Sequence, residues 1–221
     1  MPEWKNDKEL FAIIKKELYT GVLLDMLDTM GYYNQFLPRE IQAMRPGDSM
    51  VGRAYPTVIC DVYGPQEKPL GLLMEAVDHI KEDEIYIVTG GNYRCSYFGE
   101  IMTASVKRKG AAGAVIDGYH RDSHFVLEQD FPVFSRGRDA RGSGCRNLVI
   151  RYRVPVDIAG VWIEPGDLIF GDIDGVVVIP KKIEEEAITI SLEKIRGERD
   201  IRASIEKGMS AVEAYDAFGT F

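Results

Sequence analysis

Two short, unbroken apolar runs with a helix-like segment between them constrain this chain more than any other feature. Glu84–Thr89 reads EIYIVT and 114–117 reads AVID, and neither alternates polar with apolar residues. Strands of that kind are buried on both faces, as parallel strands covered by helices are. Between them, 97–109 carries apolar residues at helical spacing and is closed by Gly110, a common helix stop. The order strand, loop, helix, strand is a βαβ unit, so the chain is expected to be an α/β protein. Such a unit leaves polar groups open at two places within 92–125. One is the helix start, expected at 96–100, and the other is the end of the second strand at His120, Arg121 and Asp122.

The flanking segments read as scaffold. Leu10, Phe11, Ile13, Ile14 and Leu18 predict a helix over 7–18, and a second helix runs from Thr20 or Gly21 to Met30 before Gly31. Leu23, Leu24, Leu27 and Met30 make its apolar face, which leaves Asp25 and Asp28 on a different, solvated one. Strand-like segments follow at 51–54 and 57–62, a helix at 70–80 with His79 near its end, and a short strand at 131–134. The stretch 135–144, rich in Gly, Arg and Ser, reads as an exposed loop. From Leu148 the pattern turns to short β segments joined by Pro-Gly-Asp and Asp-Gly turns, which signal a meander. Asp172 and Asp174 stand in one of these turns and read as its caps. The remainder is helical and charged, with Ser210 capping a last piece. The organisation expected is a single domain over 1–221, with N-terminal helices in 1–48 and a C-terminal helical arm in 181–221.

Composition removes several classes of function. A formal net charge of −8 argues against a general nucleic-acid binder, which needs a basic face. Cys60, Cys95 and Cys145 are odd in number and lack C-x-x-C spacing, which argues against a disulfide framework or structural zinc. The polar start MPEWKNDKELF is unlike a signal peptide, and no apolar run approaches the roughly 20 residues that span a bilayer. A cytoplasmic protein without membrane partners is therefore expected. Gly90 and Gly91 after the first apolar run allow a sharp turn and close approach to a ligand. They do not complete a G-x-G-x-x-G, so a dinucleotide is not indicated.

The two open ends of the βαβ unit have a definite chemistry. A helix start offers free N–H groups and a positive dipole end to an anion. Arg121 beside Asp122 offers a carboxylate clamp and a hard oxygen ligand. A 2-oxo acid chelated to Mg²⁺ or Mn²⁺ suits that set. Taken alone, an Arg-Asp pair after a strand is more often a surface ion pair, and spacing leaves both readings open.

The segment YFGEIMTASVKRKGAAGAVIDGYHRD, at 97–122, resembles the HMG/CHA aldolase family. These are class II 4-hydroxy-4-methyl-2-oxoglutarate/4-carboxy-4-hydroxy-2-oxoadipate aldolases, related to the regulator of ribonuclease activity A, RraA. The family pattern is an acid, twenty intervening residues, then Arg-Asp, and Glu100 stands 21 positions before Arg121. Phe131-Pro132-Val133-Phe134, Pro165-Gly166-Asp167 and the run from Gly171 to Pro180 match as well. The resemblance implies a β/β/α swivelling fold like the phosphohistidine domain, RraA-like, flanked by N- and C-terminal helices. It implies that Asp122 ligates Mg²⁺ or Mn²⁺ and that Arg121 binds the keto acid and stabilises its enolate. The amides of Tyr97, Phe98 and Gly99 would hold the pyruvyl carboxylate, and Glu100 would orient a water that protonates the enolate. Asp25 and Glu198 would reach the site from an adjacent subunit of a homotrimer or dimer of trimers. The implied activity is cleavage of 4-hydroxy-2-oxo acids to pyruvate, with decarboxylation of oxaloacetate. Two alternatives are an RraA-like regulator that binds a ribonuclease, a role that needs no Asp122, and a related metal-dependent enzyme acting on a sugar acid. Family aldolases carry an acid three residues after the Arg-Asp aspartate, where this chain has Phe125, so the acceptor half of the substrate is left open. His120 and His124 are candidates for substrate contact or for packing.

Overall fold

The computed structural model describes residues 4–219. The N-terminal part comprises α1 (Asp7–Glu17), α2 (Thr20–Thr29), β1 (Gln42–Ala43), β2 (Met50–Asp61) and α3 (Leu73–His79). The middle comprises β3 (Glu84–Thr89), β4 (Ser96–Phe98), α4 (Glu100–Arg108), β5 (Gly113–His120), α5 (Ser123–Glu128) and β6 (Val133–Arg138). Then come β7 (Asn147–Tyr152), β8 (Val156–Ile158), β9 (Val161–Ile163), β10 (Leu168–Asp172), β11 (Gly175–Ile179), α6 (Glu184–Glu206) and α7 (Ala211–Phe218).

The expected βαβ unit lies at the centre of a mixed sheet in the order β1-β6-β5-β3-β2-β10-β11. The inner pairs β2–β3, β3–β5 and β5–β6 are parallel, and the pairs β10–β2, β10–β11 and β1–β6 are antiparallel. The two ends approach each other through the segment before β1. The Leu37 amide donates to Val176 O on β11, whereas Gln42 and Ala43 pair with β6. The sheet is thus close to a closed barrel, and closure removes exposed strand edges.

Every central strand is apolar on both faces because each face has its own core. On β3, Ile85 and Ile87 point into the barrel, while Tyr86 and Val88 point toward α3 and α4. On β11, Val176 and Val178 point inward and Val177 and Ile179 face the layer of α1, α2 and α6. This period of two over two cores explains why EIYIVT shows no polar alternation.

Several boundaries differ from the sequence-based expectation. The two segments 51–54 and 57–62 form one strand, β2, which pairs with β3 through Pro56 without a break and shifts register only against β7, between Val58 and Ile59. The helix expected at 70–80 starts at Leu73, because Leu70 and Gly71 both have positive φ (67° and 64°). The strand expected at 131–134 continues to Arg138, since β5 offers it a partner as far as His120. Asp172 caps its own turn through the Asp174 amide and also accepts from Thr20 N and Oγ1 at 2.8 Å, which fixes the start of α2. The capping box at Ser210 and Glu213 starts α7 where expected. No helix among the described residues is long and apolar enough to cross a membrane.

Arg53 on β2 ties three elements together. Its guanidinium donates to Asp7 of α1 at 2.8 and 2.5 Å and pairs with Glu184 of α6, and its plane lies 5.4 Å from the Phe11 ring centroid. The Arg53 hydrogen bond holds the Asp7 carboxyl below its ordinary pKa. Because the folded value is depressed, this contribution is full above the unfolded value and is lost as pH falls through the folded one. Arg53→Met should cost about 3 kcal/mol in urea unfolding at neutral pH by stranding two acids. Asp7→Asn should flatten the loss of stability as pH falls below the ordinary aspartate range. Wild-type acid sensitivity in that variant would contradict the assignment.

Candidate functional site

The C-terminal end of β5 and the start of α4 meet as the βαβ geometry requires. The Arg121 amide donates to Phe98 O at 2.9 Å, which fastens β4 to the last turn of β5, and Phe98 is registered against His120. Directly after this bond Asp122 adopts a left-handed conformation (φ 55°, ψ 35°). For a residue other than glycine this costs on the order of 1 kcal/mol, and aspartate is among the residues that tolerate it. The turn folds the Asp122 carboxylate back over Gly99: a Cβ added there would lie 2.7 Å from Asp122 Oδ2 and 3.2 Å from Arg121 Cγ. Arg121 Nε sits 3.3 Å from Asp122 Oδ2, and the Glu100 amide donates to the same oxygen at 3.4 Å. Three charged residues are thereby gathered around one glycine.

Helix α4 starts at Glu100 rather than at 97, because 96–98 is used up in parallel pairing with β5. The first-turn amides without a helical partner therefore belong to 99–102, of which that of Glu100 is taken by Asp122 Oδ2, and Tyr97 and Phe98 contribute their positions on a strand. The expected second loop after Asp122 is the short helix α5, whose first turn is closed by the Val126 amide donating to Asp122 O.

Tyr97, Phe98, Gly99, Glu100, Arg121 and Asp122 all line one cavity of about 650 Å³. Its other walls are Pro69, Leu70, Leu73 and Met74 from the approach to α3 and α3 itself, Ile101 and Met102 of α4, Phe125 of α5, and the loop Gly142, Ser143, Gly144. Gly142 leaves room for the guanidinium, since a Cβ there would be 2.8 Å from Arg121 Nη1. Sequence reasoning did not find the α3 and 142–144 walls. They come from distant parts of the chain, although Gly142 marks where a backbone approaches closely.

Asp25 and Glu198 do not line this cavity. Asp25 is exposed on α2, and the Glu198 carboxylate accepts from Tyr19 Oη at 2.9 Å and pairs with Lys194 at 3.3 Å. Burial, the Glu198 hydrogen bond and the charge of Asp25 push the Tyr19 hydroxyl up to about 12, which places both acids around Tyr19. Lys107 and Lys109 bond to the carbonyls of Gln129 and Asp78, and no lysine lines the cavity.

Gly90 and Gly91 approach protein rather than ligand. A Cβ on Gly91 would lie 2.3 Å from Tyr97 Oη, and one on Gly118 would lie 2.2 Å from the Tyr97 ring. The two glycines sandwich Tyr97, whose hydroxyl accepts from the Tyr93 amide at 2.7 Å and is pushed well above its ordinary pKa by burial. Below it, Asp117 accepts from Thr89 Oγ1 at 2.6 Å and Arg136 Nε at 2.7 Å, joining β3, β5 and β6 beneath the site. His120 is buried on the far side of the strand end. Its Nδ1 lies 2.7 Å from Ser135 Oγ, and burial lowers its pKa to about 4. It lines a separate cavity with Arg136 and Arg138, while His124 is exposed and pairs with Glu128 at 3.2 Å.

No group of three or more His, Cys, Asp or Glu side chains that could hold a metal ion exists among the described residues. That donor poverty does not suit zinc. It fits a hard cation such as Mg²⁺, which keeps most of its waters and needs only one or two carboxylates, and Asp122, about a third exposed, offers an oxygen to such an ion.

Comparison with known proteins gives a consistent result. The family model described as RraA-like, Aldolase/RraA, matches residues 20–178. A protein of Halalkalibacterium halodurans with the provisional name 4-hydroxy-4-methyl-2-oxoglutarate aldolase is 31% identical over 196 residues, 89% of each chain. Protein DlpA of Legionella pneumophila is 28% identical over 198 residues; these are 88% of this chain but only 31% of DlpA. The crystal structure of Streptomyces coelicolor RraAS2, described as an unusual member of the RNase ES inhibitor RraA protein family, superposes with a TM-score of 0.79. It is 25% identical, over 91% of this chain and 99% of that one.

The glycine sandwich gives a direct test of how tightly the cavity wall is built. Gly118→Ala should destabilise the protein by about 1–3 kcal/mol in urea unfolding, because Tyr97 has no room to yield between Gly91 and the new methyl. A neutral substitution would show that Tyr97 moves freely.

Proposed function

This chain belongs to the RraA-like aldolase/RraA family, and on that premise we propose that it is a divalent-metal-dependent lyase. Its substrates would be 4-hydroxy-2-oxo acids, cleaved to pyruvate, and it would also decarboxylate oxaloacetate. The observation that carries this reading is the grouping of Glu100, Arg121 and Asp122 around Gly99 at one cavity, beside the open amides of α4. The absence of a lysine from the cavity lining leaves no group for Schiff-base chemistry there.

In this reading the substrate carboxylate meets the open amides of Gly99, Ile101 and Met102 and the Arg121 guanidinium. That placement sets Arg121 near the keto oxygen, where negative charge grows as the C3–C4 bond breaks. Asp122 would hold Mg²⁺ or Mn²⁺, and a bound cation supplies Lewis-acid stabilisation of the same charge. Glu100, on the first turn of α4, would deliver a proton by way of water to C3 of the pyruvate enolate. Gly99 has no side chain to obstruct these groups, and its extended φ of −166° shows that close approach, not backbone strain, is what requires glycine there. Asp25 and Glu198 would act from a neighbouring copy of the chain in a trimer or hexamer, Glu198 being steadied by the Tyr19 hydroxyl.

A regulatory role is the second reading, favoured by the likeness to RraAS2, whose description names a ribonuclease inhibitor family. A binding surface has no use for an acid held in a left-handed turn against an arginine inside a cavity, which supports the enzyme. Purified protein with Mn²⁺ and oxaloacetate should release pyruvate. Asp122→Ala should lower kcat by about a hundredfold or more and Arg121→Lys by a similar factor, because a lysine cannot reproduce the guanidinium geometry. Asp25→Ala and Glu198→Ala should reduce activity with little change in unfolding midpoint. No turnover of oxaloacetate or any 4-hydroxy-2-oxo acid would turn the assignment to the regulatory reading.

A further inference from the structure

Arg121 is the cationic side chain of the cavity lining, and 45% of that side chain is exposed. A long side chain left that open loses rotamer freedom when it is fixed, so something must hold it. Its polar partner within the chain is Asp122, whose Oδ2 lies 3.3 Å from Nε. The second hold is made by shape. A Cβ added at Gly99 would lie 3.2 Å from Arg121 Cγ, and one added at Gly142 would lie 2.8 Å from Nη1. The root of the side chain therefore rests on one glycine and its tip on another. Backbone conformation does not call for glycine at 142, because its φ is outside the left-handed region. An alanine there would meet the tip of Arg121 before anything else.

Gly142 is itself held firmly. The Asp139 amide donates to His120 O at 3.0 Å, at the end of β5. The Arg141 amide and Nε then donate to the Asp139 carboxylate at 2.9 and 3.0 Å. Ser96, buried on β4, gives both of its donors to Arg141 O, the amide at 2.9 Å and the hydroxyl at 2.8 Å. Gly142 O accepts from Arg146 Nη1 at 2.8 Å, and Ser143 O accepts from the amides of Arg146 and Asn147. Three successive carbonyls, 141 to 143, are thus engaged by other donors. None of them draws on the guanidinium, and the Arg121 Nη groups have no hydrogen-bond partner among the described residues. A guanidinium held in this way keeps its fork of N–H donors for an anion.

We infer that Gly142 is a positioning residue for Arg121: the loop 139–147, hung from β4 by Ser96, backs the guanidinium tip and keeps it beside Gly99 with its Nη donors open. The inference rests on the lyase reading for the task of Arg121, and on contacts within one chain for how Arg121 is held. A neighbouring copy at the mouth of the cavity leaves these ties in place. The Ser96 hydroxyl is accordingly a structural donor to the loop and not a substrate contact. A displacement of about 1 Å at a group that meets the reacting atoms costs a rate factor of about a hundred, so a backing residue matters even without touching substrate.

The test compares Gly142→Ala with the wild-type chain. Metal-free protein is treated with phenylglyoxal, and modification at Arg121 is followed by peptide mass spectrometry. Binding of Mn²⁺ is followed by electron paramagnetic resonance with and without oxalate, and turnover is followed with oxaloacetate. Gly142→Ala should keep its thermal midpoint, because the atom it meets is the flexible end of a side chain. It should change the Arg121 modification rate about threefold or more, and lower kcat with oxaloacetate about tenfold or more. Mn²⁺ uptake alone should stay within about twofold, since Asp122 is untouched, whereas uptake with oxalate should weaken about fivefold or more. In an Arg121→Ala background, Gly142→Ala should change oxalate-linked uptake by less than about twofold, because residues acting through one partner are not additive. Ser96→Ala, which leaves its amide on Arg141 O, should act in the same direction by a smaller factor. Wild-type Arg121 reactivity and oxalate-linked uptake in Gly142→Ala would overturn the inference. An undiminished loss in the Arg121→Ala background would also overturn it, and would make the loop a wall that acts on the ligand itself. If the wild-type chain turns over neither oxaloacetate nor any 4-hydroxy-2-oxo acid while Gly142→Ala still alters Arg121 reactivity, the lyase reading falls and the positioning of Arg121 stands.

Discussion

One hydrogen bond, from the Arg121 amide to Phe98 O, decides the form of this site. It extends the parallel pairing of β4 and β5 to the last residue that can take part, so the next residue must leave the sheet. Asp122 leaves it through a left-handed turn, and that single conformation sends its carboxylate back toward the start of α4 instead of out to solvent. Without the β4 pairing, Arg121 and Asp122 would be the surface ion pair that such a dipeptide usually is. Beneath the turn, Asp117 binds Thr89 and Arg136 and so locks β3, β5 and β6 in the register that makes the strand ends coincide. A polar group buried with that many partners rigidifies its surroundings.

Much of this was legible in the sequence because the residues involved obey local rules. EIYIVT and AVID announced strands buried on both faces, Gly110 announced the end of a helix, and Ser210 announced the start of another. The site's own members, Glu100, Arg121 and Asp122, were visible by type and spacing. What stayed hidden was set by tertiary pairing. Residues 96–98 look helical in sequence, yet β5 recruits them as a strand, which moves the helix start to Glu100 and changes which amides are free. Residues 135–138 look like loop until β5 supplies a partner. Gly90 and Gly91 read as a ligand-binding turn, while the structure spends Gly91 on the ring of Tyr97. The walls from α3 and 142–144 are remote from the site in sequence, and no local rule reports such a contact.

The acids Asp25 and Glu198 illustrate a different limit. They come together around Tyr19 on the helical layer, on the other side of the fold's core from α3 and α4, and they do not line the cavity of their own chain. If they serve catalysis they do so across an interface between copies, which gives the helical layer a purpose beyond covering β10 and β11. In the proposed lyase, assembly and activity would then be inseparable, since a protomer alone would hold Arg121 and Asp122 without these acids.

The central claim is that Asp122, turned inward by the end of β5, is the protein's ligand for a divalent cation that is shared with a 2-oxo acid. Mn²⁺ binding followed by electron paramagnetic resonance, with oxalate present as a mimic of the pyruvate enolate, tests this without depending on turnover. The wild-type protein should take up Mn²⁺ together with oxalate, and Asp122→Asn should weaken that uptake by about tenfold or more while keeping its thermal unfolding midpoint. Equal Mn²⁺ binding by the two proteins, with or without oxalate, would contradict the account.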